Sequence, residues 1–318
     1  MKWFRKARKQ SGWMAVGLQS EAIVVVHGQS NGRDKPQIDQ WTLRATRDLP
    51  AELAKLSKDL SLSRYQCTTL LDPGEYQMLV VDAPEVPKAE LKGAIRWRLK
   101  DMLDYHVDDA MIDVLDIPPD PAGASRAHFM YAVAAPNEAI QRRVRIFEDA
   151  RIPLAVIDVP ELAQRNIASL YERNKADDVA TRGVALLHFS EQFGLLTINF
   201  RGELYFARRI ETTFAQLEEP DTARREDLFN RVLLEIQRTL DHFDRQFRFI
   251  TVSKLLVGPE PRESGLLEYL GANMDLPLER VRLRDKLRFS SDAVPDGENE
   301  WRLFHQIGAS LRNETAIL

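Results

Sequence analysis

The chain has 318 residues, 44% hydrophobic and 29% charged, with a formal net charge of -4. That is enough apolar material for two core-forming domains. The acidic balance argues against a nucleic-acid binder held by bulk electrostatics. The single cysteine, Cys67, excludes an internal disulfide or a Cys-cluster zinc site, so a reducing compartment fits best. No apolar run approaches the roughly 20 residues needed to cross a bilayer.

The first residues are basic (Lys2, Arg5, Lys6, Arg8, Lys9) with Trp3 and Phe4 beside them. The polar Lys9-Gln10-Ser11 follows where a signal peptide would place its apolar stretch, so secretion is not expected. Two readings stay open for residues 2–9: a peripheral contact with the anionic inner face of a membrane, or a solvated, frayed end. Strand patterns follow at Trp13–Gln19, Ala22–Gly28 and Gln37–Ala45. A helix begins after Asp48 and Pro50 and covers Ala51–Leu60, and two further strands flank Asp72-Pro73-Gly74.

Lys88–Ile117 reads as a helix followed by a strand. After a loop come a strand at His128–Pro136, a helix from Asn137 with that residue as its cap, and a strand at Pro153–Val159. This stretch is an inserted α/β subdomain. On its first helix, Leu91, Ile95, Leu99 and Met102 or Leu103 form one apolar stripe facing the core. Trp97 and Arg98 lie off that stripe. An exposed Trp beside Arg is the composition of a peptide-binding surface, and a Trp packed under the neighbouring strand is an equal alternative.

The second half repeats the opening pattern. Three strand-like runs span Val184–Ile210. A helix over Arg225 to about Arg248 then carries Phe229, Val232, Ile236, Leu240, Phe243 and Phe247 on one face. Strand, helix and strand follow at Phe249–Val257, Gly265–Asn273 and Leu278–Leu283. Three strands and then alternating helix and strand, found twice, predict an internally duplicated α/β fold with a cleft between its halves.

Several chemical motifs fail on context. Gly28-Gln29-Ser30-Asn31-Gly32 has the form of a hydrolase nucleophile elbow, but Pro36 and a strand follow instead of a helix; a hairpin loop is expected. The six histidines show no metal-binding spacing. Asp104, Asp108, Asp109, Asp113 and Asp116 lack the glycine and terminal Glu of a calcium loop, and read as a solvated acidic edge.

The stretches AIRWRLKDMLDYHVDDAMIDVLDI, YAVAAPNEAIQRRVRIFEDARIPLAVIDVPELAQRNI, LLEIQRTLDHF and QIGASLR resemble the type IV pilus assembly protein PilM family. The resemblance runs from about Trp13 to Arg312. It implies an actin-like ATPase fold, related to that of the division protein FtsA, with two ribonuclease-H-like halves. A basic segment 1–12 would precede a first domain of 13–83 plus 156–182, joined by a terminal helix 300–313. The inserted subdomain would be 84–155 and the second domain 183–299. The resemblance also implies a cytoplasmic protein at the inner membrane, with the tail of a PilN-like inner-membrane protein held beside the subdomain through Trp97 and Arg98.

An actin-like nucleotide site works through bare backbone N–H groups near phosphate and through aspartates that hold Mg²⁺. At the first hairpin Gly17 and Ser20 remain, but position 15 is Ala. At the second, His188 and Phe189 stand where Asp-x-Gly would be, leaving Ser190, Glu191 and Gly194. At the adenosine loop Gly258 is followed by Pro259, which removes an N–H. On this resemblance the site is a degenerate one that would bind ATP weakly through Gly17, Ser20, Ser190, Glu191, Gly194 and Gly258, with an ATP-binding or ATP-hydrolysing switch as the alternative. No catalytic or metal-binding residue is expected.

Overall fold

The computed structural model describes residues 10–30, 34–120, 123, 128–172 and 182–313. The basic segment 2–9 lies outside the described residues, as does part of the Gly28–Gly32 motif.

The first domain opens with β1 (Trp13–Gln19), β2 (Ala22–Gln29), β3 (Gln37–Ala45), α1 (Leu49–Asp59) and β4 (Gln66–Leu70). β2 is buried along nearly its whole length, as a strand covered on both faces must be. The Asp48 side chain accepts from Ala51 N and starts α1. Next come β5 (Gln77–Asp82), α2 (Leu91–Leu99), β6 (Ala110–Ile117) and β7 (Phe129–Pro136). The chain then returns through α3 (Asn137–Asp149), β8 (Leu154–Asp158) and α4 (Pro160–Glu172).

The second half contains β9 (Arg182–Phe189), β10 (Gly194–Phe200), β11 (Glu203–Ile210), α5 (Phe214–Leu217), α6 (Thr222–Gln246), β12 (Thr251–Val257), α7 (Leu266–Asn273) and β13 (Leu278–Arg280). It is followed by α8 (Leu283–Lys286), β14 (Arg288–Phe289) and α9 (Gly297–Ser310). Arg201 and Gly202, both at positive φ, make the two-residue turn that joins β10 to β11 with Phe200 paired to Glu203.

The strand orders expose the duplication. One sheet reads β14-β3-β2-β1-β4-β8 and the other β11-β10-β9-β12-β13. Leaving out the added β14, both follow the order third, second, first, fourth, fifth. In each, the first three strands are antiparallel and the last two run parallel to the first. Helices α4 and α9 pack against each other between the sheets. Leu303, Phe304 and Ile307 share one core with Val24 and Val26 of the first sheet and Val184, Leu186 and Leu256 of the second.

Three details depart from the sequence reading. β5 pairs with β7 in a separate three-stranded sheet, β5-β7-β6, so the subdomain sheet starts at Gln77 instead of residue 84. At its other end, α3 and β8 belong to the first domain: Phe147, Ala150 and Ile152 join the core under β1 and α1, and β8 pairs with β4. A boundary at 155 therefore cuts through β8. Asn137 is no cap either. It is the first helical residue, and its side chain reaches the Asp108 carbonyl at 3.4 Å. On α2 the apolar stripe buries Ile95 and Leu99 completely, while Met102 is exposed and Leu103 packs inward.

Candidate functional site

The cleft between the halves is lined by Gly17 and Ser20 from the β1–β2 hairpin, Ser190 and Glu191 from the β9–β10 turn, Asp72 after β4, and Trp301, Arg302, His305 and Gln306 from α9. It encloses about 100 Å³, against roughly 300 Å³ or more for a typical small-molecule pocket.

The glycines that would offer bare backbone are each covered. A Cβ on Gly17 would lie 2.4 Å from Gln306 Nε2. One on Gly194 would lie 2.5 Å from the Phe189 ring, and one on Gly258 would lie 2.7 Å from His188 Nδ1. Gln306, Phe189 and His188 thus occupy the volume over these backbones. Ser190 is spent on its own turn: its Oγ accepts from Gln192 N at 3.2 Å and Phe193 N at 3.1 Å, and donates to Phe193 O at 2.9 Å. Glu191 lies 3.8 Å from the Arg302 guanidinium.

An aromatic cluster holds this arrangement closed. Trp301 Nε1 donates to Phe189 O at 2.6 Å. The His188 ring lies 4.1 Å from Phe304 and 5.1 Å from His305. Burial holds His188 well below the ordinary histidine range, with His305 adding to the effect, and burial brings His305 down to about 4. Both rings are therefore neutral near pH 7.

Three carboxylates near the ends of β4 and β8 escaped the sequence reading, because their partners lie far away in the chain. Asp158 is bound by Arg312 and by Val159 N. Glu161 accepts the Tyr76 hydroxyl through one oxygen and Arg209 through the other. Asp72 pairs with Arg143 at 3.1 Å, and its pKa is raised by burial against that pairing. Among the described residues, no group of three or more His, Cys, Asp or Glu side chains is placed to hold a metal ion.

Trp97 and Arg98 lie apart from the cleft, on α2. Trp97 is 77% exposed, so it is not packed beneath a strand. Arg98 Nη1 donates to Asp82 O at 2.7 Å, which ties α2 to the end of β5. Seven large hydrophobic side chains are exposed among the described residues; five of them (Val80, Val86, Trp97, Met102 and Met111) belong to the subdomain.

No curated protein matches the chain. Among solved structures, the chain resembles one of the PilM-PilN type IV pilus biogenesis complex, with TM-score 0.68 and 17% identity, covering 94% of this chain and 97% of that one. A Bacteroides thetaiotaomicron protein with actin-like ATPase fold and unknown function matches with TM-score 0.50 and 10% identity, covering 91% and 96%. The cytoplasmic domain of EpsL, an inner membrane component of the type II secretion system of Vibrio cholerae, gives TM-score 0.48 at 11% identity, covering 95% and 94%. The fold is the actin-like ATPase fold. The model of the type IV pilus assembly protein PilM matches residues 36–219, more than half of the chain, and the chain belongs to that family.

Proposed function

We propose that this chain is a non-catalytic scaffold of a type IV pilus machine of the MSHA kind, similar to its component MshI. It works at the cytoplasmic face of the inner membrane and holds the tail of a PilN-like inner-membrane protein against the inserted subdomain. The observation that carries the docking reading is the concentration of exposed apolar side chains on that subdomain, with Trp97 foremost. A large exposed aromatic ring is the usual anchor of a peptide interface. The free edge of β5 lies beside Arg98 and suits an extended tail.

The non-catalytic part rests on the filled cleft. Phosphoryl transfer depends on positioning and on metal electrostatics. Here Gln306, Phe189 and His188 cover the glycines; the carboxylates that line the cleft, Asp72 and Glu191, face Arg143 and Arg302, and Asp158 and Glu161 are bound to Arg312 and Arg209.

Titration of the purified protein with Mg-ATP tests this part. Neither saturable binding below millimolar nucleotide nor phosphate release is expected; binding with turnover would instead make the chain an ATP-driven switch in the same machine. Titration with the N-terminal peptide of a PilN-like protein encoded beside it tests the docking. A raised melting temperature is expected, and an unchanged one at saturating peptide would overturn the subdomain assignment.

A further inference from the structure

The outer side of the second domain, away from the cleft, carries a second surface. β11 ends its sheet, so one of its edges has no strand partner among the described residues. The subdomain covers that edge from Tyr205 to Ala207, where the Tyr131 hydroxyl donates to Tyr205 O at 3.0 Å and meets the Ala207 backbone. Beyond it, Arg208 to Ile210 border a cavity of about 620 Å³ between β11 and α6, far larger than the cleft. An unpaired edge beside an open groove is a template for an added strand.

The groove has a marked chemistry. Leu228 and Leu234 from α6 give it apolar surface, and Leu234 is 41% exposed. Arg208, Arg231 and Arg238 also line it. Glu235 is shared between Arg208 and Arg238, so one carboxylate answers two guanidiniums. Arg231 has no ion pair among the described residues. Setting aside Arg209, which is held by Glu161, the lining carries three arginines against the two glutamates Glu211 and Glu235, in a chain whose net charge is -4. Alternate residues of a strand face opposite ways. Arg209 points to Glu161 on one side, which leaves Arg208 to face α6 on the other.

We propose that this groove docks an extended acidic peptide of a partner protein, added as a strand to the free edge of β11. Backbone pairing would hold it at Arg208 to Ile210, its apolar side chains would cover Leu228 and Leu234, and its carboxylates would meet Arg231 and the shared Arg208–Arg238 pair. This surface is separate from the Trp97 face, and the proposal stands whether or not a PilN-like tail binds there.

The probe is a fluorescein-labelled nonapeptide whose odd positions, which share one strand face, alternate Asp and Val with Ser between them, titrated against the full chain by fluorescence anisotropy. The controls are a Lys/Val peptide and a backbone N-methylated version of the acidic one. The acidic peptide is expected to bind saturably and to weaken as salt rises. Arg231→Glu is expected to weaken it about tenfold, and Leu234→Asp similarly. Both side chains contribute to the surface of the groove, so unchanged circular dichroism and melting temperature separate lost binding from lost fold. Equal binding of acidic and basic peptides, or an affinity unmoved by Arg231→Glu, would overturn the charge assignment. Undiminished binding of the N-methylated peptide would overturn strand addition. A self-association in sedimentation that Arg231→Glu abolishes would give the groove to a second copy of this chain and overturn the partner-peptide reading.

Discussion

Arg209 of β11 reaches across the junction of the two halves and donates through Nη2 to Oε1 of Glu161 on α4 at 3.3 Å. Glu161 is only 2% exposed, and its other oxygen accepts the Tyr76 hydroxyl. The same guanidinium donates to Pro73 O at 2.7 Å and lies 4.5 Å from the Tyr76 ring. One side chain thus ties the second domain to the first and to the loop that enters the subdomain. Removing one partner of a buried pair strands the other charge, at a cost of about 3–5 kcal/mol. Arg209→Met is expected to destabilise the protein by about that much in denaturant unfolding. Tyr76→Phe should cost less, about 1–3 kcal/mol, because Glu161 keeps Arg209.

Gly308 marks the closest approach of α9 to α4. A Cβ there would lie 2.1 Å from the Ala163 carbonyl oxygen, and a helix backbone cannot yield as a flexible side chain does. Gly308→Ala is expected to lower stability by at least about 2 kcal/mol. Gly297, also on α9, has nothing within 4 Å of the same position. Gly297→Ala is expected to be neutral or to stabilise by up to about 1 kcal/mol. Thermal melts of the two variants check the contrast.

The buried histidines set a pH dependence. His305 is held at about 4 in the folded chain, against about 6.5 when unfolded. Between those values the unfolded state binds a proton that the folded state refuses, so stability falls as pH falls. His188 acts in the same direction. Asp72, whose pKa is raised by burial, acts oppositely at its own lower range, so the difference between variants is the useful quantity. His305→Gln is expected to flatten the loss of stability between about pH 6.5 and pH 4, by up to about 3 kcal/mol at the acid end. Chemical unfolding at several pH values reads it.

Trp97 should separate fold from docking. At 77% exposure, Trp97→Ala is expected to move stability by no more than about 0.5 kcal/mol. If it anchors the PilN-like tail, the same change should weaken tail binding by about 2 kcal/mol or more, which calorimetry with the tail peptide measures.

Periodicity made the architecture legible. The apolar face of α6, with Phe229, Val232, Ile236 and Phe243 buried, follows from helical spacing alone. The twofold strand pattern likewise announced two sheets. Which sheet a strand joins is another matter. Nothing in Gln77–Asp82 says that it pairs with β7 instead of β4, because register is decided by the partner. The cleft was legible only by what it lacked. His188 and Phe189 could be seen standing where Asp-x-Gly belongs, but not that Gln306, more than a hundred residues later, fills the space over Gly17. Glu161 was invisible for the same reason: its meaning comes from Tyr76 and Arg209, one on each side of it in the chain.

β14 adds to the edge of the first sheet beside β3, and α9 completes the core between the sheets, although both follow the second domain in the chain. During synthesis the first domain therefore cannot close when its own strands have emerged. Val24, Val26 and Ile167 wait for Leu303, Phe304 and Ile307, with the whole second half translated in between. A ribosome moving at about 5–20 residues per second would leave that apolar surface uncovered for several seconds. The interval is long enough for a chaperone to matter, and it makes this chain sensitive to truncation before α9 in a way that a simple tandem of two domains would not be.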